Sequence, residues 1–166
     1  FFPAGGYRMD SEVLLPPTTE VAMLGHPGRT EIRAGAAISQ FFRKATFADG
    51  GGISPVFIHG FKFACNRLAD RAFWIPVAKK GAITNIIIND FLIEAWKGGD
   101  DSGGYTARFY ENHISHNIID GGVNNAASVG TMPMYGINLT ENATDNIIIG
   151  PEVGYVSEAG LRVVGG

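Results

Sequence analysis

Short apolar cores recur along this chain at intervals of a few tens of residues, and that spacing constrains its fold more than any other feature. Four stretches share an Ile core flanked by Asn or Gly: Val56 to Phe61, Ile86 to Phe91, His113 to Ile118, and Ile147 to Gly150. Taking Ile58, Ile88, Ile114 and Ile149 as equivalents gives steps of 30, 26 and 35 residues. A second set of strand-like runs, 73–77, 105–110, 135–139 and 160–164, alternates with the first. Periods of this size are produced by stacked repeat units that bury a continuous interior. The runs are too short and too often bounded by Gly to be helices.

The expected fold is therefore all-β, a solenoid of parallel strands in which loops vary in length without disturbing the stack. Asn85, Asn89, Asn112, Asn117, Asn142 and Asn146 flank the Ile cores. Asn tolerates the left-handed backbone that a sharp corner requires, and some of these residues are expected to stack as hydrogen-bonded ladders. Gly supplies 23 of the 166 residues, about twice the usual ~7%, which suits a chain of many turns. Two stretches leave an alternative open. Ile38, Phe41, Phe42 and Ala45, and likewise Phe61, Cys65, Leu68 and Ala72, repeat at helical spacing, so one or two short helices are admissible in the amino-terminal half.

Composition narrows the function. Thirteen basic against 16 acidic side chains give a net charge of −3 and a pI near 5.8, which argues against non-specific binding to nucleic acid or an anionic membrane. At 45% hydrophobic and 17% charged the chain is not disordered. Its apolar runs fall far short of the roughly 20 residues that a spanning helix needs. A lone Cys65 permits no internal disulfide. Residues 1–166 read as one unit, a segment of a longer chain, since it starts at Phe1 and stops just after an apolar run.

The first 35 residues carry a resemblance. Phe1-Phe2-Pro3-Ala4-Gly5-Gly6-Tyr7-Arg8-Met9, then Val13-Leu14-Leu15-Pro16 and Val21 to Arg33, resemble the opening coils of pectate-lyase-like right-handed parallel β-helices, where a hydrophobic-Pro-x-Gly-x-Tyr strand precedes an apolar strand and a Leu-x-Gly turn. Members normally precede this stretch with an Asp-rich segment and a capping amphipathic helix, neither of which is present, so a cap is expected outside these residues. The same opening is frequent in bacteriophage tailspikes, in which three β-helices associate and bind or cleave surface polysaccharide. The resemblance thus implies a homotrimeric protein of a virion tail or the extracellular space. A secreted polysaccharide lyase or glycoside hydrolase, and a non-catalytic structural or adhesion module, are the alternatives.

On such a scaffold cleavage rests on carboxylates, one to protonate the leaving oxygen and another to activate water or attack carbon. Glu94, Asp100 and Asp101 are the candidate catalytic set, in a Gly-rich stretch beside Trp96. Trp96, Lys97, Tyr105 and His116 are candidate carbohydrate-binding residues. The Asp pair resembles the tandem Asp of polygalacturonases, but their Gly-His-Gly and Arg-x-Lys signatures are missing; a solvated turn or a Ca²⁺ ligand set is the competing reading. Base-assisted elimination would draw a cation from Lys97, Arg108, Lys79 or Lys80. His113 and His116, three apart, fall on opposite faces of an ideal strand, which argues against a shared metal and leaves a corner role or a base. His59 has the same corner reading and His26 reads as a turn. Cys65 is expected to be buried and inert. Asn138-Leu139-Thr140 and Asn142-Ala143-Thr144 match the N-glycosylation pattern but read as structural Asn. No phosphate loop, zinc spacing or nucleophile elbow is present, so no cofactor is expected beyond an admissible Ca²⁺.

Overall fold

A computed structural model of the chain describes residues 1–46, 48–100, 109–122, 132–140 and 143–164. Its twenty strands form four all-parallel sheets, here called faces. Face I holds β1 (Gly5–Met9), β4 (Thr30–Ala34), β7 (Phe61–Ala64), β11 (Ile87–Asn89), β15 (Ile118–Asp120) and β19 (Glu152–Gly154). Face II holds β2 (Val13–Leu15), β5 (Ile38–Lys44), β8 (Ala69–Ile75), β12 (Glu94–Gly98), β16 (Tyr135–Leu139) and β20 (Ala159–Val163). Face III holds β3 (Val21–Leu24), β6 (Val56–His59), β10 (Ala82–Thr84), β14 (His113–Ser115) and β18 (Ile147–Ile149), and the narrow face IV holds β9 (Ala78–Lys79), β13 (Phe109–Tyr110) and β17 (Ala143–Thr144). The chain visits I, II, IV where present, III and I again, each strand pairing with its equivalent one coil away. That is the topology of a parallel β-helix.

Register corrects the repeat alignment. Ile58 pairs with Ile83, Ile83 with Ile114 and Ile114 with Ile148, so the face III steps are 25, 31 and 34 residues. Ile88 belongs instead to face I, between Phe63 and Ile119. The Ile-Ile-Ile runs confuse the two faces because each spans or adjoins a corner, where one apolar column ends and the next begins. No helix occurs among the described residues. Residues 38–44 form β5, and Asn66 and Arg67, with φ of 54° and 57°, turn the chain between β7 and β8. The helical spacing has a different origin. In face II at least two successive residues are buried in each of four coils (Phe41 with Phe42, Ala72 with Phe73, Ala95 with Trp96, Gly136 with Ile137), and the pairing skips the first of each named pair. This recurring bend interrupts the two-residue alternation of a strand.

Inside, aromatic rings form a chain along the stack. Phe2 meets Phe61, Phe61 meets Phe63, Phe63 meets Phe73, Phe73 meets Trp96 and Trp96 meets Phe109, with centroids 5.3–6.2 Å apart. Such contacts add to the apolar burial that dominates the interior. The corners are equally repetitive. Gly60, Asn85, His116 and Gly150, all with positive φ, follow successive face III strands, and Lys80, Glu111 and Asp145 follow successive face IV strands.

Of the described corner asparagines that flank the Ile cores, only Asn85 takes the left-handed conformation. Asn112 and Asn117 are buried; Asn112 forms the expected ladder with Asn146, and Asn117 instead bonds the backbone of the preceding coil. The Asn112 side-chain oxygen accepts from Gly81 N at 2.9 Å, and its amide donates to Asn146 Oδ1 at 3.0 Å. Asn117 Oδ1 accepts from Ile86 N while its Nδ2 donates to Ile83 O, both at 3.4 Å. Replacing fully buried Asn117 by Ala leaves a backbone N–H and a carbonyl without partners, and urea unfolding should register a loss of about 1–3 kcal/mol.

Lys44 is also fully buried, donating to Gly52 O at 3.0 Å and to Ser54 Oγ at 2.6 Å. Burial pushes its ammonium down to about 8. Between pH 8 and the ordinary lysine range the unfolded chain holds a proton that the native chain has released, so this group makes the protein more stable as pH rises. In Lys44→Met that increment is missing. The stability difference, variant minus wild type, should therefore fall between about pH 8 and the ordinary lysine value of 10.5 in chemical denaturation; a pH-independent difference would show that Lys44 does not titrate there.

Candidate functional site

Phe42, Phe73, Trp96 and Ile137 are buried in successive face II strands, with the exposed Leu161 in register beyond them, and the residue after each stands on the other side of its strand. Arg43, Trp74, Lys97, Asn138 and Arg162 therefore stand in one column, in register coil by coil and about 4.8 Å apart. Lys97 Nζ lies 5.3 Å from the Trp74 ring centroid, a cation–π contact, and Trp74 Nε1 donates to Gly99 O at 2.9 Å. Beside this column, Gln40, Arg71, Glu94 and Tyr135 come from the other side of the bend.

These side chains are tied together. Arg43 Nε donates to Glu12 Oε1 at 2.9 Å, Gln40 Nε2 donates to Glu12 Oε2, and Arg71 Nη1 donates to Gln40 Oε1 at 2.9 Å. Arg71 Nε meets Glu94 Oε1 at 2.6 Å, Asn138 Nδ2 donates to Glu94 Oε2 at 2.5 Å, and Arg162 Nη1 donates to Asn138 Oδ1 at 3.2 Å. The network thus runs from the start of the first face II strand to the last. At its end the Arg162 guanidinium lies 5.0 Å from the Tyr135 ring centroid, and the Tyr135 hydroxyl donates to Glu158 Oε2 at 2.6 Å. That hydrogen bond to Glu158 raises the phenol above its ordinary range.

The predicted residues fall into different places. Glu94 is 3% exposed, with both carboxylate oxygens engaged. Asp100 is buried just beyond the far end of β12. Asp101 and Tyr105 lie outside the described residues, as does Arg108. Trp96 is 0% exposed and stacks on Phe73 at 5.4 Å within the core, so it has no face to offer a sugar ring. The expectation of a Trp96 platform is replaced by Trp74, whose indole is on the outside. Lys97 stands beside it. His116 is an exposed corner residue with φ of 54°. His113 is exposed too, since the corner intervenes between them, and its Nε2 lies 3.1 Å from Ser115 Oγ. Lys79 and Lys80 lie 4.0 and 3.8 Å from Glu111, on face IV and the corner that follows it. Cys65 is buried, and burial pushes its thiol far up. Asn138, in one glycosylation-like triplet, is buried in the network, and Asn142 lies outside the described residues. Among the described residues no three His, Cys, Asp or Glu side chains are grouped to hold a metal ion.

Arg43, Arg71, Trp74, Asn138 and Arg162 are site residues that sequence reasoning missed. The signal that would have found them is the face II register, which requires recognising residues 94–98 as a strand between 73–77 and 135–139. Face III contrasts with face II: its outward residues, from Ala22 and Leu24 to Ile147 and Ile149, include no Lys, Arg, Asp or Glu. Comparison with protein-family models, curated proteins and solved structures returns no match.

Because the two tryptophans are on opposite sides of one wall, acrylamide should quench the Trp74 emission and leave that of Trp96 nearly untouched. Trp74→Phe should abolish the quenchable component; a strongly quenched Trp96 in that variant would contradict the placement.

Proposed function

We propose that this chain is part of a tailspike-like β-helix of a virion tail or the extracellular space, and that face II holds a surface polysaccharide along the coil stack. The observation that carries this reading is the outward column Arg43, Trp74, Lys97, Asn138 and Arg162, one planar or cationic side chain per coil. A polysaccharide offers repeated hydroxyls, apolar ring faces and often carboxylates at regular intervals. Guanidinium and ammonium donors together with an indole are the matching chemistry. Binding is favoured over cleavage at Glu94, because the carboxylate is buried and both its oxygens are taken by Arg71 and Asn138, which leaves no oxygen open to a ligand. Catalysis, if the chain has it, rests on Asp100 and Asp101. Face III, whose outward residues include no Lys, Arg, Asp or Glu and which exposes Leu24, Ile147 and Ile149, is the side on which copies would meet in a homotrimer.

The test is retention on an immobilised panel of bacterial capsular and O-antigen polysaccharides. The wild-type chain should retain at least one of them, and Trp74→Ala should weaken that retention by about tenfold, the equivalent of about 1.4 kcal/mol. No retention on any polysaccharide would overturn the reading. Release of oligosaccharides that persists in an Asp100→Asn, Asp101→Asn double variant would remove those residues from any cleavage.

A further inference from the structure

Glu94 stands near the middle of the face II network, and its chemistry dictates the polarity of everything attached to it. An ionised carboxylate only accepts hydrogen bonds. Arg71 and Asn138 must therefore both present donors to it, as they do through Nε at 2.6 Å and Nδ2 at 2.5 Å. Once Nδ2 of Asn138 is committed to Glu94, its Oδ1 must face the other way, where it accepts from Arg162 Nη1 at 3.2 Å. Arg71 is fixed similarly, since Nε is held by Glu94 and Nη1 by Gln40 Oε1. One carboxylate thus sets the orientation of an amide and two guanidiniums spread over successive coils.

We propose that Glu94 is a positioning residue for ligand binding: directly at Arg71, and through the buried Asn138 at Arg162, it fixes the pattern of guanidinium donors offered on face II, and it neither donates a proton to the ligand nor attacks it. This deepens the polysaccharide-binding reading and rests on it, while the hydrogen-bond polarity it invokes can be measured without a ligand.

The experiment compares Glu94→Gln with the paired variant Glu94→Gln, Asn138→Asp. Glutamine has one carbonyl oxygen and one NH2 group, so in the single variant one of the two donors facing position 94 meets another donor. In the pair, the carbonyl oxygen of the introduced glutamine accepts from Arg71, and its NH2 donates to the introduced aspartate. The second oxygen of that aspartate accepts from Arg162. Every hydrogen bond and the net charge are restored. On the same panel, Glu94→Gln should bind at least about tenfold more weakly, the scale of one charge-assisted hydrogen bond, and the pair should recover to within about threefold of wild type. Circular dichroism and thermal midpoints identify variants that fold. Wild-type affinity in Glu94→Gln overturns the proposal, and so does a folded pair that binds no better than the single variant. Normal binding with lost cleavage in the single variant would make Glu94 catalytic instead, which also overturns it. Independently of any glycan, the Asn138 side-chain amide should exchange slowly with solvent in the wild type and faster in Glu94→Gln. Unchanged exchange refutes the positioning role, whereas absent glycan retention with the expected exchange change refutes the binding reading alone.

Discussion

Coil-on-coil backbone pairing is the constraint on which the rest of this molecule depends. A strand of three residues, such as β10 or β14, is too short to hold itself together. It is held because its N–H and C=O groups are shared with the coil before and the coil after. That arrangement works only if each coil turns at the same places as its neighbours. Gly60, Asn85, His116 and Gly150 show how strict the demand is: Gly, Asn and His adopt one left-handed backbone because the corner, not the side chain, is what repeats. Outside Gly that conformation is uncommon, and it is borne here by stacked corner hydrogen bonds such as Asn85 N to Ser115 O at 3.2 Å.

Stacking in register converts sequence into columns, and the columns decide what each face can do. Inward columns collect the aromatic chain from Phe2 to Phe109 and the buried asparagines Asn112 and Asn117. Outward columns differ from face to face: no Lys, Arg, Asp or Glu on face III, and on face II a network of carboxylates, guanidiniums and amides. The bend in face II, with two successive residues buried, lets Gln40, Arg71 and Glu94 from one side meet Asn138 and Arg162 from the other. A straight strand would keep them apart. The polar site is therefore a consequence of an interruption in the apolar pattern.

The same columns explain what the amino acids reveal and what they hide. The all-β, parallel, repetitive character is visible in the spacing of short Ile-rich runs. So are the buried Cys65 and the ladder of Asn112 with Asn146. Register is not visible, because Ile86-Ile87-Ile88 and Ile147-Ile148-Ile149 supply apolar residues close to a corner where two faces adjoin, and nothing local says which Ile belongs to which column. The helical spacing around Ile38 and Phe41 is the bend seen in one dimension. The Trp96 assignment fails for the same reason: inside or outside is a matter of parity within a strand, and residues 94–98 do not announce a strand.

Everything on faces II and III follows from the register, and a disulfide measures it most directly. Thr84 and Ser115 are partners on face III, and parallel neighbours about 4.8 Å apart fall within the Cα range that a disulfide accepts. With Cys65 replaced by Ala, a Thr84→Cys, Ser115→Cys variant should oxidise completely to an intramolecular bridge while an Asn89→Cys, Ser115→Cys variant stays reduced. A bridge in the second variant and none in the first would restore the alignment of Ile88 with Ile114 and contradict the structure described above.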